Sequence, residues 1–66
     1  MQFFIDQYTR SRNQGLDYLK VGDRTEARHH LLMAAKYLLE AAKRSEPALA
    51  LIRRDGAAKL RDLALN

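Results

Sequence analysis

The chain has 66 residues, 47% of them hydrophobic, and a net charge of +4 from 12 Lys and Arg against 8 Asp and Glu. This length allows one domain over residues 1–66 and excludes a nucleotide-binding sheet or a two-lobed active site. Cysteine is absent, and so are a signal-peptide pattern and an apolar run of about 18 residues. We therefore expect a cytoplasmic protein without cofactors, whose positive charge is suited to an acidic partner.

Two short breaks divide the chain into three predicted helices, at about 2–21, 24–44 and 46–65. In the first break, Gly22 can adopt the left-handed backbone that ends a helix, and Asp23 can cap the next one. In the second break, Ser45 is the natural cap and Pro47 fits the first turn. Because both connections are short, the sequence predicts an all-α, antiparallel three-helix bundle with the up-down-up order of spectrin repeats.

The apolar pattern predicts that the second helix is the central one. Its apolar positions cover well over half of the circumference, as expected for a helix that is contacted from two sides. The first helix has one main apolar face, where Ser11 and Gly15 are small enough for another backbone to approach closely. This face consists of Phe4, Tyr8, Ser11, Gly15 and Leu19, with Ile5 and Leu16 at its edge.

The third helix carries more apolar side chains than a single seam requires. We expect its inward face to consist of Leu49, Ile52, Gly56 and Leu63. Two groups flank this face: Arg53, Ala57, Leu60 and Ala64 on one side, and Leu51, Ala58 and Leu65, beside Asp55 and Asp62, on the other. Either this surplus lies at the surface, as single apolar residues often do, or it contacts a partner.

The first two helices resemble a tetratricopeptide hairpin. Gly15, Tyr18, Ala27 and Ala34 lie at the spacing of the small and aromatic positions of that repeat. The bulky aromatic residue usual in the first helix is replaced by Ser11, and the terminating proline is absent. Because only one hairpin is present, the sequence does not indicate a stacked repeat array.

The hairpin followed by a third long helix resembles the microtubule-interacting and trafficking (MIT) domain, in the short form found before bacterial AAA-type ATPases. The segment 22–27 matches the family's entry into helix 2, Leu31 and Ala34 continue its pattern, and 52–60 follows the spacing of its third helix. The family's Arg-Ala-Glu run near the end of helix 3 is replaced by residues 62–64. The resemblance implies a recruitment domain that captures peptide tails beside helix 3, and it implies that the chain is a fragment of a longer ATPase.

No catalytic or metal-binding pattern is visible in the sequence. His29 and His30 are adjacent, so their side chains point about 100° apart on a helix and cannot chelate one ion together. Glu26 and His30 could supply two ligands, but no third is evident. Ser11 and Ser45 have structural explanations, and Asp55 and Asp62 lie two turns apart on an exposed face, an arrangement that does not indicate a catalytic acid–base pair. We therefore expect no enzymatic activity, no metal and no small-molecule substrate.

Nucleic-acid binding is a weaker alternative. Arg53, Arg54, Lys59 and Arg61 could contact phosphates, but Asp55 and Asp62 interrupt this basic strip. The helices are also longer than those of compact helix-turn-helix domains, and the second break lacks the glycine of that motif. A helix on a membrane surface would need a clearer separation of apolar and basic faces, so we expect no membrane insertion.

The sequence therefore favours a protein-interaction module that binds an acidic peptide or helix in a groove between helices 2 and 3. The candidate partner-binding residues are Lys36, Leu39, Lys43, Arg53, Ala57, Leu60, Arg61 and Ala64. A second groove lined by Leu51, Ala58 and Leu65 is an alternative site. The same apolar surplus could instead form a homodimer.

Overall fold

The computed structural model describes residues 2–66 and contains three α-helices: α1 is Gln2–Lys20, α2 is Arg24–Lys43 and α3 is Pro47–Leu65. The predicted helix ends are confirmed to within one residue. Helix α1 packs against α2, and α2 packs against α3. The predicted all-α three-helix bundle with α2 at its centre is therefore confirmed.

The turn between α1 and α2 is closed by backbone hydrogen bonds that require a glycine. Gly22 has φ +82°, and its N–H donates to Leu19 O while the Asp23 N–H donates to Tyr18 O. These two bonds form a Schellman motif, which satisfies carbonyls at the end of α1. The Asp23 carboxylate accepts from the Glu26 N–H at 3.1 Å and caps α2, as predicted.

The turn between α2 and α3 differs from the prediction in one residue. The cap of α3 is Glu46, whose carboxylate accepts from the Leu49 N–H at 2.7 Å, and Pro47 begins the helix as expected. The prediction that Ser45 is the cap was wrong, because the Ser45 hydroxyl donates to Ala41 O at the end of α2 (2.7 Å) and accepts from Arg53 Nη1 (2.6 Å). Ser45 therefore links α2 to α3.

The predicted face of α1 packs on α2 through its smallest residues. Ser11 and Gly15 are buried, and the Gly15 backbone lies directly against Leu31, which is fully buried. Tyr8 packs further along α2, against a cluster that includes Leu38. Since residue 15 meets residue 31 and residue 8 meets the region of residue 38, the two helices run antiparallel.

Helix α3 packs with a different face from the one that the sequence predicted. The residues of α3 that are buried are Ala50, Ala57 and Ala64, which are spaced by seven and therefore lie on one line of the helix. Ala57 forms a cluster with Ala35 and Leu38 of α2. The face assigned to a flank is thus the packed one, because small residues on both helices let the two backbones approach closely.

The stripe predicted to point inward is largely exposed. Ile52 is 68% exposed, Leu63 43% and Leu49 36%, and we call these three residues the exposed stripe. Among residues 2–66, α1 and α3 make no close backbone contact with each other, although Ile5 and Tyr8 of α1 pack against the cluster that contains Ala57 of α3. Since the backbone of α1 does not come close to α3, these three side chains keep much of their surface in solvent.

Candidate functional site

A groove of about 350 Å³ runs along the surface between α2 and α3. Its walls combine leucine and alanine side chains with four basic or acidic ones, and we call it the basic groove. The residues that line it are Leu32, Ala35, Lys36, Leu39, Glu40 and Lys43 from α2 and Arg61 from α3. The groove exists because the closely packed alanines of α3 leave the neighbouring side of α2 uncovered.

The apolar floor of the groove follows helical spacing. Leu32 and Leu39 are seven residues apart, so they lie on the same side of α2 about two turns, or roughly 10.5 Å, from each other. Ala35 lies between them and is buried, whereas Leu32 and Leu39 keep part of their surface in solvent. The floor can therefore accept apolar side chains at two positions.

Two cations on the rim have no acidic partner. Within residues 2–66, no carboxylate oxygen lies within 4 Å of the Lys36 ammonium or the Arg61 guanidinium. Both side chains belong to exposed residues. Because α2 and α3 are antiparallel and Ala35 meets Ala57, Arg61 lies one turn beyond that contact, near Leu32. The rim near Leu32 is therefore positively charged.

At the other end of the groove, Glu40 pairs with two cations. Its Oε2 lies 3.1 Å from Lys43 Nζ, and its Oε1 lies 3.0 Å from Arg44 Nη1. The hydrogen bond from Arg44, followed by that from Lys43, lowers the pKa of the Glu40 carboxyl below its usual value of 4.5. Glu40 is therefore ionised at neutral pH. Arg44 is also held from the other side, with its guanidinium carbon 4.4 Å from the centre of the Phe4 ring.

The structure divides the predicted partner-binding residues into two groups. Lys36, Leu39, Lys43 and Arg61 line the basic groove together. The remaining four are Arg53, Ala57, Leu60 and Ala64, and they belong to the packed face of α3.

Two residues of the second group, Ala57 and Ala64, are buried, which contradicts the predicted contact of their side chains with a partner, whereas Leu60 and Arg53 keep part of their surface in solvent. Ala57 is 1% exposed, and Ala64 is also buried, so their side chains are not accessible. Leu60 is half-buried against the cluster of Ala35, Leu38 and Ala57. Arg53 is half-buried as well and donates to Ser45. The prediction for Ala57 and Ala64 was wrong because α3 is apolar on several sides, and periodicity alone does not indicate which side packs against α2.

The sequence prediction missed Leu32 and Glu40. Leu32 could have been found from its spacing of seven residues to Leu39, which places both on one side of a helix. Glu40 could have been found from Lys43 and Arg44, three and four residues later, since such spacings favour ion pairs. The alternative groove formed by Leu51, Ala58 and Leu65 is an exposed surface of α3, and these three residues do not line the basic groove.

Some of the residues considered for other chemistry have structural partners. Lys59 is paired with Asp55 at 3.0 Å, so one cation of the proposed nucleic-acid strip is already neutralised. Tyr18 and His30 have stacked rings 5.3 Å apart, and Glu26 Oε1 lies 3.8 Å from His30 Nε2. Over residues 2–66, no group of three or more His, Cys, Asp or Glu side chains is placed to hold a metal ion.

The comparisons with known proteins identify no relative. No family model, no curated protein and no solved structure matches the chain. The three-helix fold is known from the structure, and no family is identified for it. None of the helices in the described part, residues 2–66, is both long and apolar enough to cross a membrane.

Proposed function

We propose that this domain is a non-catalytic protein-interaction module whose basic groove binds an acidic amphipathic helix. The observation that carries the proposal is the pair of cations, Lys36 and Arg61, on the rim of an apolar groove, without acidic partners within residues 2–66. Apolar grooves with a charged rim are a recurrent way of binding amphipathic helices.

The spacing of the floor fits a helical ligand. Leu32 and Leu39 are separated by about two helical turns, and a ligand helix presents side chains at i and i+7 over the same distance. Two apolar side chains of the ligand would therefore lie beside the two leucines. This contact would shield part of Leu39, which is 37% exposed in the free domain.

The charge of the domain supports an acidic ligand. Lys36 is four residues after Leu32, so it lies one turn along the same side of α2, and Arg61 faces it from α3. Carboxylates next to the apolar side chains of the ligand would lie within reach of both cations. The net charge of +4 also accelerates the encounter with an acidic partner.

The resemblance to MIT domains suggests a setting for this activity. In that setting, the domain recruits partners to a longer AAA-type ATPase, whose catalytic segment follows residue 66. The open reading frame of the parent protein tests this part. A Walker-type phosphate loop after Asn66 would support the ATPase link, and a stop codon directly after Asn66 would contradict it.

The binding proposal is tested with a synthetic helical peptide of about five turns that carries Leu at i and i+7 and Glu beside them. Its affinity is measured by fluorescence anisotropy at low salt. Exposed ion pairs contribute about 0.2–1 kcal/mol each, and charge reversal adds repulsion, so Lys36→Glu and Arg61→Glu should each weaken binding roughly three- to tenfold. Raising the salt concentration should weaken binding by the wild type.

Arg10→Glu is the matched control, because Arg10 is an exposed cation on α1, away from the groove. This variant should bind as the wild type does, apart from the small effect of net charge. Circular dichroism must show that all three variants remain helical. Equal losses in all three variants, or no loss in any of them, would refute the proposed site.

The exposed stripe favours a second candidate function, self-association. Leu49, Ile52 and Leu63 form a line of large apolar side chains on one helix, and two copies could cover them across a twofold axis. Light scattering at micromolar concentration should then give twice the monomer mass, and Ile52→Asp should restore the monomer. A monomeric wild type at that concentration would rule this candidate out.

A further inference from the structure

We infer that the basic groove is electrostatically one-sided: it holds the acidic end of its ligand beside Lys36 and Arg61, whereas Glu40 occupies the place of a ligand carboxylate beside Lys43. This inference rests on the proposed function and adds to it the position of the ligand's charge. It also identifies Glu40 as a residue that determines specificity.

The two ends of the groove contain similar cations in different states. Lys36 and Lys43 are seven residues apart and therefore lie on the same side of α2, about two turns from each other. Lys43 Nζ contacts Glu40 Oε2 at 3.1 Å. Within residues 2–66, Lys36 has no such contact. A carboxylate of the ligand can therefore pair with the Lys36 ammonium without displacing another carboxylate, whereas the Lys43 ammonium is already paired with Glu40.

The side chain of Glu40 is held in place by Arg44 as well as by Lys43. Arg44 Nη1 donates both to Glu40 Oε1 at 3.0 Å and to Glu40 O at 2.8 Å, and the Arg44 guanidinium is stacked over Phe4. To bind Lys43, a ligand carboxylate would have to displace Glu40 or lie next to it. Since Glu40 is ionised, both arrangements oppose binding by repulsion between like charges.

Arg61 adds to the difference between the two ends. It is on the last part of α3, far from the turn that joins Lys43 to Pro47, and therefore lies near Leu32. Lys36, between the two leucines, and Arg61 thus have no carboxylate within 4 Å among residues 2–66, while at the other end of the groove Lys43 and Arg44 share the carboxylate of Glu40. A ligand helix gains most when its carboxylates lie beside Lys36 and Arg61, away from Glu40.

The inference is tested with one symmetric probe, a helical peptide of about five turns with Leu at i and i+7 and a Glu beside each Leu. Lys36→Gln should weaken its binding about two- to fivefold, the range expected for an exposed ion pair. Lys43→Gln should change the affinity much less. Glu40→Gln should tighten binding, and in that background Lys43→Gln should weaken it as much as Lys36→Gln does in the wild type.

Two outcomes would overturn the inference while leaving the proposed function intact. One is that Lys43→Gln and Lys36→Gln weaken binding equally in the wild-type background. The other is that Glu40→Gln leaves the affinity unchanged. If the wild type binds no acidic helical peptide at all, the proposed function itself fails, and the inference about the ligand fails with it.

The electrostatic difference between the two lysines can also be checked in the free domain. In an acid titration followed by NMR, the side-chain signals of Lys43 should shift together with the titration of the Glu40 carboxyl, while those of Lys36, which lies beyond 4 Å from it, should shift less. If Lys36 follows Glu40 to the same extent, or if neither lysine responds, the one-sided groove is refuted without any ligand.

Discussion

The two sides of α2 are packed in different ways, and the difference explains where the groove lies. On the α1 side, a Cβ atom added to Gly15 would lie only 2.7 Å from the Leu31 side chain and 3.2 Å from its backbone nitrogen. On the α3 side, a Cβ atom on Gly56 would meet a single methyl group of Leu38 at 3.2 Å. The α1 seam is full, whereas the α3 seam is made with alanines and leaves larger side chains uncovered. A binding surface is therefore available beside α3.

The largest effect is expected from removing the side chain at the centre of the α1 seam. Leu31 is fully buried, so Leu31→Ala should cost about 2–5 kcal/mol of unfolding free energy. That is a large share of the roughly 3–10 kcal/mol typical of a domain of this size. Urea denaturation followed by circular dichroism measures the loss.

The matched control for Leu31→Ala is Leu39→Ala, since Leu39 is a partly exposed leucine of the same helix in the basic groove. It should cost about 1–2 kcal/mol, less than Leu31→Ala, because only part of the Leu39 surface is removed from water. Similar losses in the two variants would show that the α1 seam is not the more tightly packed of the two surfaces.

The two helical glycines should respond to alanine with opposite signs. Alanine is favoured over glycine in a helix by about 1 kcal/mol, whereas overpacking typically costs 1–3 kcal/mol. Gly15→Ala should therefore destabilise the domain by about 1 kcal/mol, because the Leu31 backbone limits any adjustment. Gly56→Ala should stabilise it by about 0.5 kcal/mol, because only a terminal methyl group of Leu38 has to move. If thermal unfolding gives the same sign for both, the distinction between the seams is wrong.

The turn into α3 offers a smaller test of how the second seam is anchored. Glu46→Ala removes the cap of α3 and should cost about 0.5–1 kcal/mol. Ser45→Ala removes the hydroxyl that bonds Ala41 O and Arg53 and should cost about 1 kcal/mol, whereas Ser45→Thr keeps that hydroxyl. Thermal unfolding distinguishes these variants. If Glu46→Ala leaves the stability unchanged, Glu46 is not the cap of α3, and the sequence prediction that Ser45 caps this helix would be supported.

The smallest effect concerns the pH dependence of Glu40. Its pKa is lowered in the folded domain by Arg44 and Lys43. A lowered pKa in the folded state stabilises the domain fully above the unfolded value near 4.5, and this stability is lost as the pH falls through the folded value. The difference in melting temperature between the wild type and Glu40→Gln should therefore be constant near neutral pH and vanish in acid. If the difference in melting temperature stays the same in acid, the charge of Glu40 is not the cause of the stabilisation.

Helix positions and the identity of the central helix could be predicted from the sequence because they depend on local signals. Gly22, Asp23 and Pro47 mark the helix ends, and the broad apolar surface of α2 indicates two neighbours. The packed face of α3 could not be predicted, because that helix is apolar on several sides. Which face of α3 packs depends on how well Ala50, Ala57 and Ala64 fit against the alanines of α2, and this fit is a property of both helices together.

The candidate site was predicted in part for the same reason. Lys36, Leu39 and Lys43 follow from the polar edge of α2, and Arg61 from the adjoining edge of α3. Ala57 and Ala64 were assigned to the groove only because the packed face of α3 was misplaced. The spacing of Glu40 to Lys43 and Arg44 is visible in the sequence, but that these three residues pair beside the groove while Lys36 has no carboxylate within 4 Å among residues 2–66 depends on the fold.

The most direct test of the account is to map where an acidic helical peptide binds on isotope-labelled domain by NMR. The largest chemical-shift changes should fall on Leu32, Lys36, Leu39 and Arg61, with little change along α1, and Lys36→Glu should require a roughly three- to tenfold higher peptide concentration to reach half of them. Changes concentrated on Leu49, Ile52 and Leu63, or no changes on addition of the peptide, would contradict a binding site between α2 and α3.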